Sequence, residues 1–425
     1  MRRQDKPGAP VEAMFRREIV PWALIGLTLG LVEGATAAVL VKTGFQGTAS
    51  PVAVNLATAL VSGAPAFSNV VSFVWANIAH GRARVQLLAR LQALFALLVG
   101  LIGLAPRVGG GLVFAVVSIL AARMVWAGIL TVRAAVWTAN YPRQVLARIT
   151  GRIVIVSSLA VAATAALAGV VLKARAFDPR WLYGGAAACG LAAAFLYRRA
   201  RVRREFRLLA DETAEAGESG AFSLRMVREI LAKDPAFREF MFWMGLFGGG
   251  NLMIVAQLVV ILTDDFAMPA SRQIALLAVV PLVVLPLFVP WWARYFDGEH
   301  VIVYRARQCR ALVMAVVLYG VAVLGEWQWL LWLAALTYGF AMAGANLGWN
   351  LGHTDFATSG RAQHYMGVHV TLTGVRGMLA PPAGMLAYQL LEDWQRGWGK
   401  LALALPLAMT TAGAIGFNRM KNRRT

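Results

Sequence analysis

Glu33 is the single acidic residue in an apolar run from Ile19 to Val41, and Arg123 sits inside a second run, Gly110–Ala139. Ionisable side chains in such runs are costly to bury and are functional candidates by default. A carboxylate and a guanidinium that meet are tolerated where either alone is not, because a bidentate pair satisfies both charges. Two readings of that pair fit. It is a structural salt bridge, or a switchable site in which protonation of Glu33 frees Arg123 to hold an anionic group. Other polar groups interrupt other apolar runs: Asn251 and Gln257 after Gly248, Gly249 and Gly250; then Asn346, Trp349 and Asn350; then Arg376 beside Thr373. Such groups suit the wall of a solute cavity. The three glycines either loosen their helix or clear a neighbour. Gly26, Gly30 and Gly34 form a stripe that favours close helix packing. Arg133 lies nearer a run's end and is expected to snorkel to the interface. In-run arginines outnumber in-run carboxylates, which favours an anionic or strongly polar ligand over a cation. His353, Asp355, His364 and His369 gather around one turn. Their spacing puts His364 and His369 on different helix faces, so no metal site is expected; solvated or proton-sensitive turn residues fit better.

The elements that must position these groups are long. Of 425 residues, 59% are hydrophobic and 15% charged, too little polar surface for a soluble protein and the reverse of a disorder signature. Twelve apolar runs are long enough to cross a bilayer as helix: Ile19–Val41, Val52–Ala79, Val85–Ala105, Gly110–Ala139, Ile153–Leu172, Leu182–Tyr197, Phe237–Leu262, Ile274–Phe296, Val301–Leu324, Trp329–Leu351, Met366–Leu390 and Leu401–Phe417. They do not alternate as barrel strands do. With both termini in the cytoplasm, roughly thirty basic residues flank the inner ends and about eight the outer ends. The formal net charge of +20 is thus a topology signal, Arg305 and Arg307 falling in the inner belt and Lys42 outside. Binding to nucleic acid is not expected, since no soluble segment is long enough for such a domain. The first run is too long for a cleavable signal core. Cys189 and Cys309 fall within runs and read as packing residues.

The expected fold is all-α: a polytopic membrane protein of twelve transmembrane helices in two six-helix halves. A cytoplasmic tail (1–18) precedes the first half (19–197); a basic, then acidic linker (198–236) leads to the second half (237–417) and a short cytoplasmic tail (418–425). Within the linker an amphipathic helix is expected, with Ser223 as cap and Met226, Val227, Ile230 and Leu231 on one face. A weak repeat supports the division. Trp75-Ala-Asn-Ile-Ala-His80-Gly81-Arg82 ends the second run, and Trp292-Ala-Arg-Tyr-Phe-Asp297-Gly298-Glu299 ends the eighth.

With these features the sequence resembles the major facilitator superfamily over essentially its whole length. That family carries a turn pattern like G-x-x-x-D-R-x-G-R-R/K after the second and eighth spans. Here His80, Gly81, Arg82 and Arg84 stand in the first turn, and Asp297 and Gly298 followed by Glu299 and His300 in the second. The resemblance implies that spans one, four, seven and ten line a central cavity, which lets Glu33 and Arg123 meet there. It also implies a secondary transporter in the plasma (inner) membrane, moving a small polar or anionic solute with protons by alternating access, with no cofactor. An exporter of lipophilic drugs or metabolites and a non-transporting membrane sensor or assembly partner are the alternatives. The expected partners are a small-molecule solute, protons and the lipid bilayer, with the chain a monomer. No P-loop, G-x-S-x-G or H-E-x-x-H pattern points to an enzyme.

Overall fold

The computed structural model describes residues 9–174, 178, 180–202, 205, 224–296, 299–353, 355–357 and 362–424, which form helices with no strand among them. Ten helical segments among the described residues are long and apolar enough to cross a membrane. The chain is a polytopic helical membrane protein. A bilayer core offers backbone N–H and C=O groups no water, so helices that satisfy them internally are the natural solution for runs of this length.

The first segment is split. Helices α1 (Ala9–Leu29) and α2 (Gly34–Phe45) flank a break where one continuous run was expected. Gly30 and Gly34 bracket it and lower the cost of leaving helical geometry. Glu33 caps α2 in an extended conformation, φ −79° and ψ 128°. Helix α3 (Pro51–Phe67) begins with Pro51 in its first turn and Ser50 accepting the Ala53 N–H at 3.3 Å. A 3₁₀ turn leads into α4 (Ser72–Ala79). Next come α5 (Arg84–Ile102), α6 (Gly109–Asn140), α7 (Arg143–Ala174) and α8 (Arg180–Tyr197).

Most of the linker, including Ser223, lies outside the described residues. Its amphipathic helix is α9 (Leu224–Lys233), with Val227 buried and Ile230 and Leu231 against the core. Asp234 then caps α10 (Pro235–Asp264), accepting from the Phe237 N–H at 2.8 Å and from the Tyr365 hydroxyl at 2.9 Å. Helix α11 (Ala270–Ile274) passes through a π-helical turn, Ala275–Val279, into α12 (Val280–Phe296). The remainder is α13 (Val301–Leu324), α14 (Gln328–Leu351), α15 (Ala362–Trp394) and, after a 3₁₀ turn, α16 (Ala404–Asn422). Two expected spans are not among the ten: α8, with 18 residues, and the more polar α15. Both pack among the others, α8 on α1 and α5, α15 on α3 and α10. Helix α15 continues through Pro381 and Pro382.

The weak repeat has a structural counterpart. The Trp75 indole N–H donates to the Met124 carbonyl at 2.8 Å, and Gly128, one turn on, leaves room for its ring. The Trp292 indole donates to the Phe340 carbonyl at 2.9 Å, and Gly344, one turn on, does the same. A Cβ at either glycine would lie 2.7 Å from the indole. One device thus fixes α4 on α6 and α12 on α14.

The helices before and after the linker meet through glycines. A Cβ at Gly63 would lie 2.6 Å from the Gly377 carbonyl, and one at Gly377 would lie 2.3 Å from the Phe67 nitrogen, so α3 and α15 cross backbone to backbone. Small residues permit such approach, which gains dispersion contact where no hydrophobic drive separates helix from lipid. Gly377→Ala is therefore expected to cost about 1–3 kcal/mol by overpacking. Thermal unfolding in detergent checks this against Gly245→Ala, where an added Cβ meets nothing within 4 Å and the melting temperature should hold.

Candidate functional site

A cavity of about 450 Å³ lies between the two groups of helices. From the first group Glu33, Ser62, Pro65 and Asn69 face it; from the second, Asn251, Arg305, Asn346, Trp349, Thr373 and Arg376. One wall is apolar: Phe247, Leu252 and Val255 from α10, and Leu277, Ala278, Pro281 and Leu282 from the π turn and α12. Irregular turns of this kind often sit at functional positions.

The structure brings Glu33 and Arg123 together. Arg123 Nη1 donates to Glu33 Oε2 at 2.8 Å, with the arginine side chain 6% exposed and the glutamate 30%. The break between α1 and α2 points this carboxylate across at α6 while leaving it reachable from the cavity. Arg123 Nε has no acceptor, so the guanidinium retains hydrogen-bonding capacity beyond the pair.

The two groups of helices are joined at the end formed by the α2–α3 and α10–α11 turns. Lys42, almost fully buried, donates to Asp264 Oδ2 and to Asn55 Oδ1, both at 2.7 Å. This ion pair joins α2 to α10 and so spans the two groups of helices. Beside it, burial and then the neighbouring charges of Glu392 and Asp264 hold the Asp265 carboxyl above the ordinary range.

No protein-family model and no curated protein matches the sequence. Solved structures do match the fold. The nucleoside transporter NupG superposes with a TM-score of 0.70 at 13% identity, covering 95% of this chain and 98% of that one. The D-xylose-proton symporter gives 0.71 at 10% identity over 96% and 97%, and the POT family transporter PepTSo 0.70 at 9% over 98% and 99%. The fold is that of the major facilitator superfamily.

Within this major facilitator fold several candidates sit differently from expectation. Gln257 is fully buried away from the cavity, donating to the Gly384 carbonyl at 2.8 Å and the Ala402 carbonyl at 3.2 Å. It ties α10 to α15 and the 3₁₀ turn. Asn350 donates to the Asn346 carbonyl at 2.8 Å and is not part of the lining. Asn251, Asn346, Trp349 and Arg376 do line the cavity. The glycines before Asn251 leave α10 continuous; Gly248 clears Arg376, and Gly249 and Gly250 clear α16. Gly26 and Gly30 clear α7, whereas Gly34 clears α3.

In the first turn, His80 ends α4, exposed Gly81 takes a left-handed φ of +66° that favours glycine, and Arg82 is exposed. Asp297 and Gly298 lie outside the described residues. Beyond them, Glu299 pairs with Arg307 at 3.0 Å, and His300 Nδ1 accepts the Ile302 N–H at 3.2 Å as a cap on α13. Burial, then the Arg424 charge, holds His300 below the usual histidine range, which keeps that nitrogen free to accept. The expected histidine group disperses: His364 is exposed, while His369 is buried in α15 with its ring against Trp349.

Sequence reasoning missed three features. Glu18, assigned to the tail, is fully buried and accepts from Trp137 and Tyr141 at 2.9 Å and from Tyr197 at 3.1 Å. Arg133 does not snorkel; its guanidinium lies 4.9 Å from the Trp22 ring and 4.4 Å from the Trp137 ring, close enough to bear on Glu18. Arg305, assigned to the cytoplasmic belt, is 1% exposed. The available signals were Glu18 one turn before Trp22, and Arg305 between Tyr304 and Gln308 inside an apolar run. Glu18→Ala strips three donors of their acceptor and leaves Arg133 unopposed, an expected loss of about 3–5 kcal/mol. A melting temperature equal to wild type, measured in detergent, would contradict that assignment; Glu18→Gln should lose less.

Proposed function

We propose that this chain is a proton-coupled secondary active transporter of a small polar or anionic solute, working by alternating access. The observation that carries the reading is a cavity between two groups of helices, reached by the paired carboxylate of Glu33; in this reading Lys42–Asp264, which joins the groups at one end, holds that end closed. In this reading α8 and α15 complete twelve spans, and residues 19–197 and 237–417 form halves that rock about the α3–α15 crossing. Both termini are cytoplasmic in the plasma (inner) membrane, and the working unit is a monomer. The similar folds of a nucleoside transporter and a D-xylose-proton symporter support transport without naming the solute.

The coupling step follows from the geometry. A proton on Glu33 removes the charge that holds Arg123, and the freed guanidinium then adds to the positive charge that draws an anionic group of the solute into the cavity. Loss of the proton restores the internal pair and expels the solute group. Each ligand shifts the balance between states by its differential affinity for them. The apolar wall on α10 and α12 favours one second reading, an exporter of lipophilic compounds.

Flux in proteoliposomes under an imposed pH gradient tests the proposal. Wild type should accumulate or extrude solute in step with the gradient, and Glu33→Gln should lose that dependence while still allowing exchange. Coupling unchanged in Glu33→Gln contradicts the assigned role; efflux of neutral lipophilic compounds alone favours the second reading.

A further inference from the structure

The buried charges of the cavity are distributed unequally. Arg123 has Glu33. On the other side, Arg305 and Arg376 have no carboxylate partner among the described residues. Arg305 Nη1 donates to Gln308 Oε1 at 3.0 Å and Nη2 to the Ala345 carbonyl at 3.4 Å, both neutral, and its Nε has no acceptor. Arg376 reaches the Thr373 hydroxyl at 2.6 Å and the Met244 carbonyl, and its Nε is likewise unmatched. The two guanidiniums are near enough to interact electrostatically with each other and with the buried ring of His369. Two buried cations facing only neutral dipoles are an incomplete arrangement, since burying a charge is offset only by an opposite charge with good hydrogen-bond geometry.

The space for both groups is built in. A Cβ at Gly348 would lie 2.8 Å from Arg305 Cζ, and one at Gly248 would lie in the volume of the Arg376 guanidinium. Each guanidinium therefore packs against a glycine on a neighbouring helix. Planar forks fixed in this way match the oxygens of a carboxylate or phosphate. The wall beyond them, with Phe247, Leu252 and Leu282, is apolar.

We propose that Arg305 and Arg376 form the head-group site for an organic anion, a carboxylate or phosphate with an apolar body that lies along α10 and α12. This rests on the transport reading above for its role in the cell. Through it the two lining chemistries belong to one solute: the arginines take the oxyanion, and the aliphatic and aromatic wall takes the remainder. Inorganic ions leave the apolar wall uncovered, and neutral lipophiles leave two cations unpaired.

The test is calorimetric titration of the purified full-length protein in detergent with 4-phenylbutyrate, phenyl phosphate, inorganic phosphate and uncharged 4-phenylbutanol. One or both organic anions should bind, with the alcohol and inorganic phosphate at least about tenfold weaker. Preference between the first two identifies the oxyanion. Arg305→Gln and Arg376→Gln should each weaken anion binding about 10- to 100-fold, the worth of a hydrogen bond to a charged group. Gly348→Ala and Gly248→Ala keep both charges but displace the guanidiniums, and should weaken it too. If the arginine variants do not fold, the glycine variants and the wild-type preference for acid over alcohol decide the matter. Equal binding of alcohol and acid, binding of neither anion, or unchanged affinity in the folded variants would overturn the proposal. Anion binding without flux contradicts transport and supports the site; coupled flux of an uncharged solute without anion binding contradicts the site alone.

Discussion

A charge in the interior of a membrane protein must find a counter-charge or lose its ionisation, and this constraint organises the molecule. Lys42–Asp264 ties the two groups of helices at one end, Glu33 stands in the cavity wall with Arg123 behind it as its partner, and Glu18 gathers three donors with Arg133 alongside. Each arrangement fixes helices against one another because separating the partners exposes a bare charge to a medium that cannot solvate it. The break between α1 and α2 is part of the same solution, since it releases a carboxylate from the helix and directs it at α6.

Against that background the two groups of helices differ in kind. They share a construction, with Trp75 and Trp292 each donating to a carbonyl and lying on a glycine one turn further on. They do not share charge. In the second group Gly339, one residue before the carbonyl acceptor Phe340, stands where Arg123, one residue before Met124, stands in the first. Arg305 and Arg376 enter there without acids. In the proposed mechanism the first group exchanges a proton and the second holds an anion, with the cavity between them.

Much of this was legible in the sequence. Apolar run length implied the helical architecture. The pairing of Glu33 with Arg123 was legible because each is a charge of opposite sign isolated in an apolar run and costly to bury without the other. What escaped were features set by side-chain direction and by contacts between distant helices. Gln257 looked like a cavity residue because polarity inside a run does not say which face it occupies; it hydrogen-bonds two carbonyls instead. Arg305 was counted as a topology signal because it lies within two turns of a helix end, where snorkelling and burial are equally compatible with sequence. The Lys42–Asp264 bond joins residues from opposite groups, and nothing local in either segment announces the other.

Sidedness is the most direct test of the account. Asn346 faces the cavity, so Asn346→Cys, in a chain with Cys189→Ala and Cys309→Ala, reports from which face of the membrane the cavity opens. With Lys42–Asp264 intact, a membrane-impermeant maleimide should label it from the face that carries the termini and not from the opposite face. Adding Lys42→Met should shift labelling toward the opposite face. Labelling of the parent from the opposite face, or no shift on loss of the lysine, would contradict a cavity held closed by that ion pair.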